Sequence, residues 1–424
     1  MKEIKFQKTV LDNGLTIITE KNDNFYTSCI GYWIKCGSIF EEPHFSGISH
    51  LLEHLIFKGT EKRNTKEISE FIESKGGMLN AFTGKEMTSV YARILPEHFE
   101  SATDLISDII FNSIIPEEEL QKEKEVVYDE IRDTIDNPSE YIIDLFYKKF
   151  FANHPIGNDI LGEISTLSQI TRKDLLNYRN KFYTPDNTII SSVGPVNHDS
   201  IVKFIQKYIQ NSSSQDINKI EIKKIDFEYK PIIHFENRNI AQVHSIIGLP
   251  GIEYSSEYKF AFKIFNFILG GGMSSILFQE IREQLGIAYN IFSALDMYSN
   301  IGLFSIYFST ETKKYNEALE KVFHILHNLK KFINEDLIII GKNQLKAGLL
   351  TALEGNKYRM EKIAKDLFYY GDYYSIKDIL NAIDSVTVDD IINIYEKFLQ
   401  GNVPSIIGIG NVDSFINKIQ LQKI

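Results

Sequence analysis

The chain has 424 residues, 43% hydrophobic and 24% charged, with a formal net charge of −11 at pH 7. At roughly 100–200 residues per domain, that length calls for at least two domains. The acidic balance argues against nucleic-acid binding, which needs a basic face, and no charge-free apolar run reaches the ~20 residues that cross a bilayer.

The opening stretch, MKEIKFQKTVLDNGLTIITE, predicts strands around a turn at Asn13-Gly14. It carries no apolar signal core and no Arg/Ser-rich transit pattern, so a soluble, cytoplasmic protein is expected. Cys29 and Cys36 follow in TSCIGYWIKCGS. An odd separation along a strand puts their side chains on opposite faces, which predicts two reduced packing residues rather than a disulfide.

The stretch SGISHLLEHLIFKGT predicts a helix with Ser46 as N-cap and an apolar stripe of Ile48, Leu51, Leu52 and Leu55. His50 and His54 are four apart and share a helix face, so both imidazoles can reach one ion. Glu53 lies beside them and can take a proton from a water that the metal acidifies. H-x-x-E-H is an inverted zinc-peptidase order. A catalytic zinc takes three protein ligands and an open position, and the acidic helix QKEKEVVYDEIRD, with Glu123, Glu125 and Glu130, is the best source of the third. Glu123 and Glu130 are seven apart on one face, so one can ligate while the other orients a ligand. By themselves, a histidine pair and an acidic helix also fit solvated helix faces. His44, His98, His154, His198, His234, His244, His324 and His327 lack a partnered pattern and receive no role.

A weak internal repeat aligns Thr166–Val196 with Ala382–Val412 without gaps at an offset of 216 residues, with identities such as Thr171/Thr387, Asp174/Asp390 and Gly194/Gly410. In each copy a Thr N-cap opens an amphipathic helix and an apolar strand ends in Gly. Two similar domains are the economical explanation, 1–215 and 216–424, joined through the polar stretch Asn211–Phe227. Strands and long helical patterns such as YKFAFKIFNFIL come in separate runs, which indicates the α+β class.

Several of these stretches occur together in an order that resembles the M16 metallopeptidases, the inverted-zincin family of pitrilysin, insulin-degrading enzyme and the mitochondrial processing peptidase. KTVLDNGLTIITE, GSIFEEPHFSGISHLLEHLIFKGT, KGGMLNAFTGKEMTSVYA, EKEVVYDEI and GGGMSSILFQEIREQLGIAYNIFS carry the likeness over nearly the whole chain, with the short two-domain bacterial members fitting best. The resemblance implies two homologous domains, each a mainly antiparallel sheet packed with helices, in a homodimer around a closed chamber. It makes His50, His54 and Glu130 ligands of one Zn2+ per chain, Glu53 the general base and Glu123 the supporting carboxylate. It places Asn80 and Ala81 on an edge strand that binds peptide by strand addition. It assigns Arg282 and Tyr289, after the Gly270-Gly271-Gly272 run, to substrate contact. The expected activity is hydrolysis of short or unfolded peptides by a cytoplasmic bacterial enzyme. The alternatives are presequence processing and a non-catalytic subunit like the respiratory-complex core proteins, against which the intact His50, Glu53, His54 and Glu130 speak.

Overall fold

The computed structural model describes residues 6–209, 222, 224–412 and 419–424. Most of the polar stretch read as the seam, including the boundary at 215/216, lies outside the described residues. The chain divides into two compact units, but no single cut separates them. Unit 1 takes Met1–Asp133, Asn158–Ile222 and Thr351–Tyr373, and unit 2 takes Thr134–Gly157, Lys223–Leu350 and Tyr374–Ile424. Linker composition alone therefore missed an exchange: each half of the chain lends one segment to the other unit.

Unit 1 holds a six-stranded sheet of β1 (Phe6–Val10), β2 (Thr16–Lys21), β3 (Ser28–Ile34), β4 (Met78–Thr83), β5 (Thr88–Ile94) and β6 (Thr188–Gly194), in the order β1-β2-β6-β3-β5-β4. β2 and β6 run parallel and the remaining neighbours antiparallel. The Asn13-Gly14 turn does join β1 to β2, with Gly14 at φ 85°. β3 and β6 are buried at every position, because helices cover both faces of the sheet. Helices Ile48–Ile56 and Phe99–Asn112 contribute to the core on one face, which also takes in Cys36. On the other face the lent helix Asn356–Tyr370 lays Met360, Ile363, Ala364 and Leu367, one helical stripe, against Ile18, Cys29, Trp33 and Val193. The two cysteines thus sit on opposite faces, buried and free. Arg359 of the lent helix pairs with the buried Glu20 at 2.9 Å.

Unit 2 holds β7 (Ile233–Asn237), β8 (Val243–Pro250), β9 (Asn290–Met297), β10 (Gly302–Thr310) and β11 (Ser405–Gly410), in the order β7-β11-β8-β10-β9. β7 and β11 are parallel and the rest antiparallel. The helix Pro138–Phe150, lent by the first half, packs on β8 and β11. The α+β class read from the runs of strands and helices is found, as are the mainly antiparallel sheets that the family resemblance implies.

The repeat extends well beyond the aligned stretch. Shifted by 216 residues, β2, β3, β5 and β6 fall on β7, β8, β10 and β11 within two residues at each end. The helices Phe99–Asn112 and Glu117–Asp136 likewise fall on Tyr315–His327 and Glu335–Ala352. Thr171 and Thr387 each close a capping box, with Asp174 and Asp390.

Candidate metal centre

Two helices of unit 1 carry the candidate ligands. The first, Ile48–Ile56, buries Ile48, Leu51, Leu52, Leu55 and Ile56, which turns His50, Glu53 and His54 toward its less buried side. Its N-terminus departs from expectation: Ser46 is not the cap. Gly47 holds that position at φ 90°, with no side-chain cap bond. The role falls to Glu41, whose carboxylate accepts the N–H groups of Gly47 at 2.8 Å and Ser49 at 2.9 Å. A carboxylate there meets both the unpaired N–H groups and the positive end of the helix dipole. Burial pushes Glu41 up to about 7 against the pull of those two hydrogen bonds. Only glycine fits position 47: its φ is left-handed, and a Cβ would lie 2.6 Å from Leu161 O.

The second helix, Glu117–Asp136, buries Leu120, Val127 and Ile131, and its Glu123 and Glu130 meet the histidines. Ligand atoms of His50, His54 and Glu130 all lie within 4.8 Å of one another, and no other such group forms among the described residues. His50 Nε2 is 3.7 Å from Glu130 Oε2, and His54 Nε2 is 3.7 Å from Glu130 Oε1. These separations exceed a hydrogen bond. They are close to the ~3.3 Å between ligand atoms on a tetrahedral ion with bonds of about 2.0–2.1 Å. Two imidazoles and one carboxylate are also a donor set of catalytic zinc sites, with a fourth position left open. The residues present fit a zinc ion.

Protonation agrees with that fit. Burial, helped by the neighbouring His54, pushes His50 down to about 4, so it is neutral at pH 7 with a lone pair to offer. The two histidines are supported differently. His50 Nδ1 is buried without a hydrogen-bond partner among the described residues. His54 Nδ1 lies 3.1 Å from Glu123 Oε2, and the other oxygen of Glu123 is 2.7 Å from Lys58 Nζ. Donation from Nδ1 to a carboxylate leaves the Nε2 lone pair facing the site.

Glu53 stands beside this cluster and takes no part in it. Burial raises its pKa above the ordinary carboxylate value, while a hydrogen bond from Thr83 Oγ1 at 2.5 Å and the nearby His54 oppose the rise. Thr83 is the last residue of β4, which lies at the edge of its sheet. Asn80 and Ala81 lie on that same edge strand, where Asn80 Oδ1 accepts the Ala81 N–H at 2.8 Å. Arg282 and Tyr289 belong to unit 2. Arg282 sits on the turn of helix Phe278–Glu283, 4.8 Å from the Phe278 ring centroid, and Tyr289 directly precedes the edge strand β9. Both are exposed, Tyr289 by 75%. Sequence reasoning missed Glu41, Lys58 and Thr83. Only Lys58 left a signal, a cation four residues after His54, although it lies beyond the last helical residue Ile56.

Comparison with known proteins now decides the family. Residues 16–164 match the model for insulinase (peptidase family M16), and residues 169–345 match the model for the peptidase M16 inactive domain. An uncharacterized zinc protease of Rickettsia felis is 36% identical over 98% of this chain and 100% of its own length. The chain belongs to the M16 peptidase family. The uncharacterized zinc protease YmxG of Bacillus subtilis is 35% identical over 89% of this chain and 92% of its own. The fold matches a Helicobacter pylori protease with a TM-score of 0.88 at 22% identity, covering 96% of this chain and 99% of that one. In this M16 chain the metal-ligand cluster falls within the insulinase match, and Arg282 and Tyr289 fall within the inactive-domain match. No described helix is long and apolar enough to cross a membrane.

Proposed function

We propose that this M16 protein is a zinc-dependent endopeptidase that hydrolyses short or unfolded peptides, acting as a cytoplasmic homodimer around a closed chamber. The observation that carries the reading is the meeting of His50, His54 and Glu130, with a half-buried Glu53 beside them that lies outside the cluster. Zinc protease relatives covering nearly the whole chain support it. Held by His50 Nε2, His54 Nε2 and a Glu130 oxygen, a zinc ion would supply Lewis acidity at a peptide carbonyl and bring the pKa of a water to about 7.

The chain's own residues do the rest. The edge strand β4 receives the peptide backbone at Asn80 and Ala81, which aligns the scissile bond beside Glu53. Glu53 takes the proton of the attacking water through the oxygen that Thr83 does not hold, and returns it to the leaving amine. Each active site is shared across the homodimer: the metal centre and Glu53 come from one subunit, and Arg282 and Tyr289 come from its partner to donate to the substrate carbonyl as negative charge develops there. The test is hydrolysis of an unstructured peptide library with cleavage sites mapped, before and after chelation and after zinc is restored. Activity that disappears and returns while circular dichroism stays constant supports the reading. A folded chain, fully loaded with zinc, that cleaves no peptide would sink it. One defined cleavage motif would favour a processing role over general degradation.

A further inference from the structure

The two histidines differ in support, and that difference points to a residue outside the H-x-x-E-H motif. His50 Nδ1 has no hydrogen-bond partner among the described residues, whereas the orientation of His54 is fixed by its hydrogen bond with Glu123 at 3.1 Å. Glu123 is itself buried, with its side chain 8% exposed, and its second oxygen meets Lys58 Nζ at 2.7 Å. The chain leaves the helix Ile48–Ile56 in a tight turn, with Lys58 N–H bonded to Leu55 O at 3.1 Å, and from there the Lys58 ammonium reaches Glu123. A buried carboxylate with one open oxygen can rotate or turn outward; an ammonium on that oxygen prevents both.

We infer that Lys58 is a positioning residue for the metal centre, acting through Glu123 to hold His54 ready to bind zinc. The inference rests on the zinc reading of the cluster but not on peptidase activity. Two effects of Lys58 oppose each other. As a cation it repels a bound metal ion, so its removal should tighten binding; as a clamp it orders Glu123 and His54, so its removal should weaken binding. Loss of a residue that orients a ligand costs about 10–100-fold in metal affinity, whereas a cation's repulsion across a partly solvated site is weakened by screening. The clamp should win.

The experiment is competition for zinc between the full-length protein and a chromophoric chelator, with thermal unfolding of each metal-free variant as a check on folding. Lys58→Met should weaken zinc binding about tenfold, the low end of that range. Lys58→Arg, which keeps a cation in reach, should recover most of the loss. In a Glu123→Gln background Lys58→Met should have little further effect, because the clamp has nothing to hold. Unchanged or tighter binding in Lys58→Met, or an equal loss with and without Glu123, would overturn the inference. Zinc bound tightly by an inactive wild type would count against the peptidase reading alone.

Discussion

The two units build the same framework, and the framework alone does not make the site. At the repeat offset of 216 residues, His50, Glu53 and His54 correspond to Asn266, Leu269 and Gly270, and Glu123 and Glu130 to Ile339 and Lys346. The unit 2 helix Lys259–Gly270 carries no histidine and no carboxylate at any position, so the chemistry of the unit 1 helix is absent from it whatever the exact register. The space has closed as well. The helix Lys259–Gly270 ends so near β9 that a Cβ at Gly270 would lie 2.4 Å from Ser293 N, leaving no room for an imidazole. In unit 1 the gap between helix and edge strand is spanned instead by the Glu53–Thr83 hydrogen bond. A helix set off from an edge strand, with a second helix supplying carboxylates, is what the chemistry needs. Sheet order and capping boxes are common to both units and do not provide it.

The sharpest test of this contrast is Glu53→Gln. It should lower peptide hydrolysis by about 10²–10⁴-fold, the usual worth of a positioned general base, in steady-state assays of fully zinc-loaded protein. Next, the contrast can be attacked from the other side by grafting Asn266→His, Leu269→Glu and Gly270→His into unit 2. Elemental analysis should find no added zinc. Gly270→Ala alone should cost ~1–3 kcal/mol by overpacking, read from the midpoint of urea unfolding. A stable graft with a second zinc would show that the closed space does not matter. Thr83→Val should reduce kcat by roughly 10–100-fold at unchanged zinc content, since a hydrogen bond to a charged group is worth about 1.5–3 kcal/mol, and Thr83→Ser should restore it.

The smallest effect concerns pH. His50 falls from its ordinary 6.5 to about 4 in the folded protein. A base depressed in this way is protonated more readily when unfolded, so its contribution to stability is present above pH 6.5 and lost as pH falls toward 4. Metal-free protein should therefore lose ~1–2 kcal/mol from this group between pH 7 and 5. In His50→Asn, denaturant titrations should show that part of the slope removed.

Much of unit 1's site was readable because its key residues are close in sequence. His50, Glu53 and His54 lie within one helical turn or so, where spacing alone fixes a shared face. Spacing put Glu123 and Glu130 on one helix face, but which of them ligates needed the family likeness. The edge position of Asn80 and Ala81, implied by that likeness, is where the structure puts β4. Glu41 was illegible because it caps its helix from across a 3-10 turn, and the nearer Ser46 satisfied the usual pattern better. The exchanged helices Pro138–Phe150 and Asn356–Tyr370 were illegible for a related reason. Each shows an amphipathic stripe, but nothing in a stripe says which sheet it will cover.

The central claim is that one metal centre forms per chain, from His50, His54 and Glu130, with Glu53 outside the ligand set. Zinc content per chain, measured by elemental analysis on the wild type, Glu130→Gln and Glu53→Gln under identical zinc loading, tests it most directly. The account predicts one zinc in the wild type, one in Glu53→Gln and well below one in Glu130→Gln. Two zinc ions in the wild type, or equal losses in both variants, would contradict it.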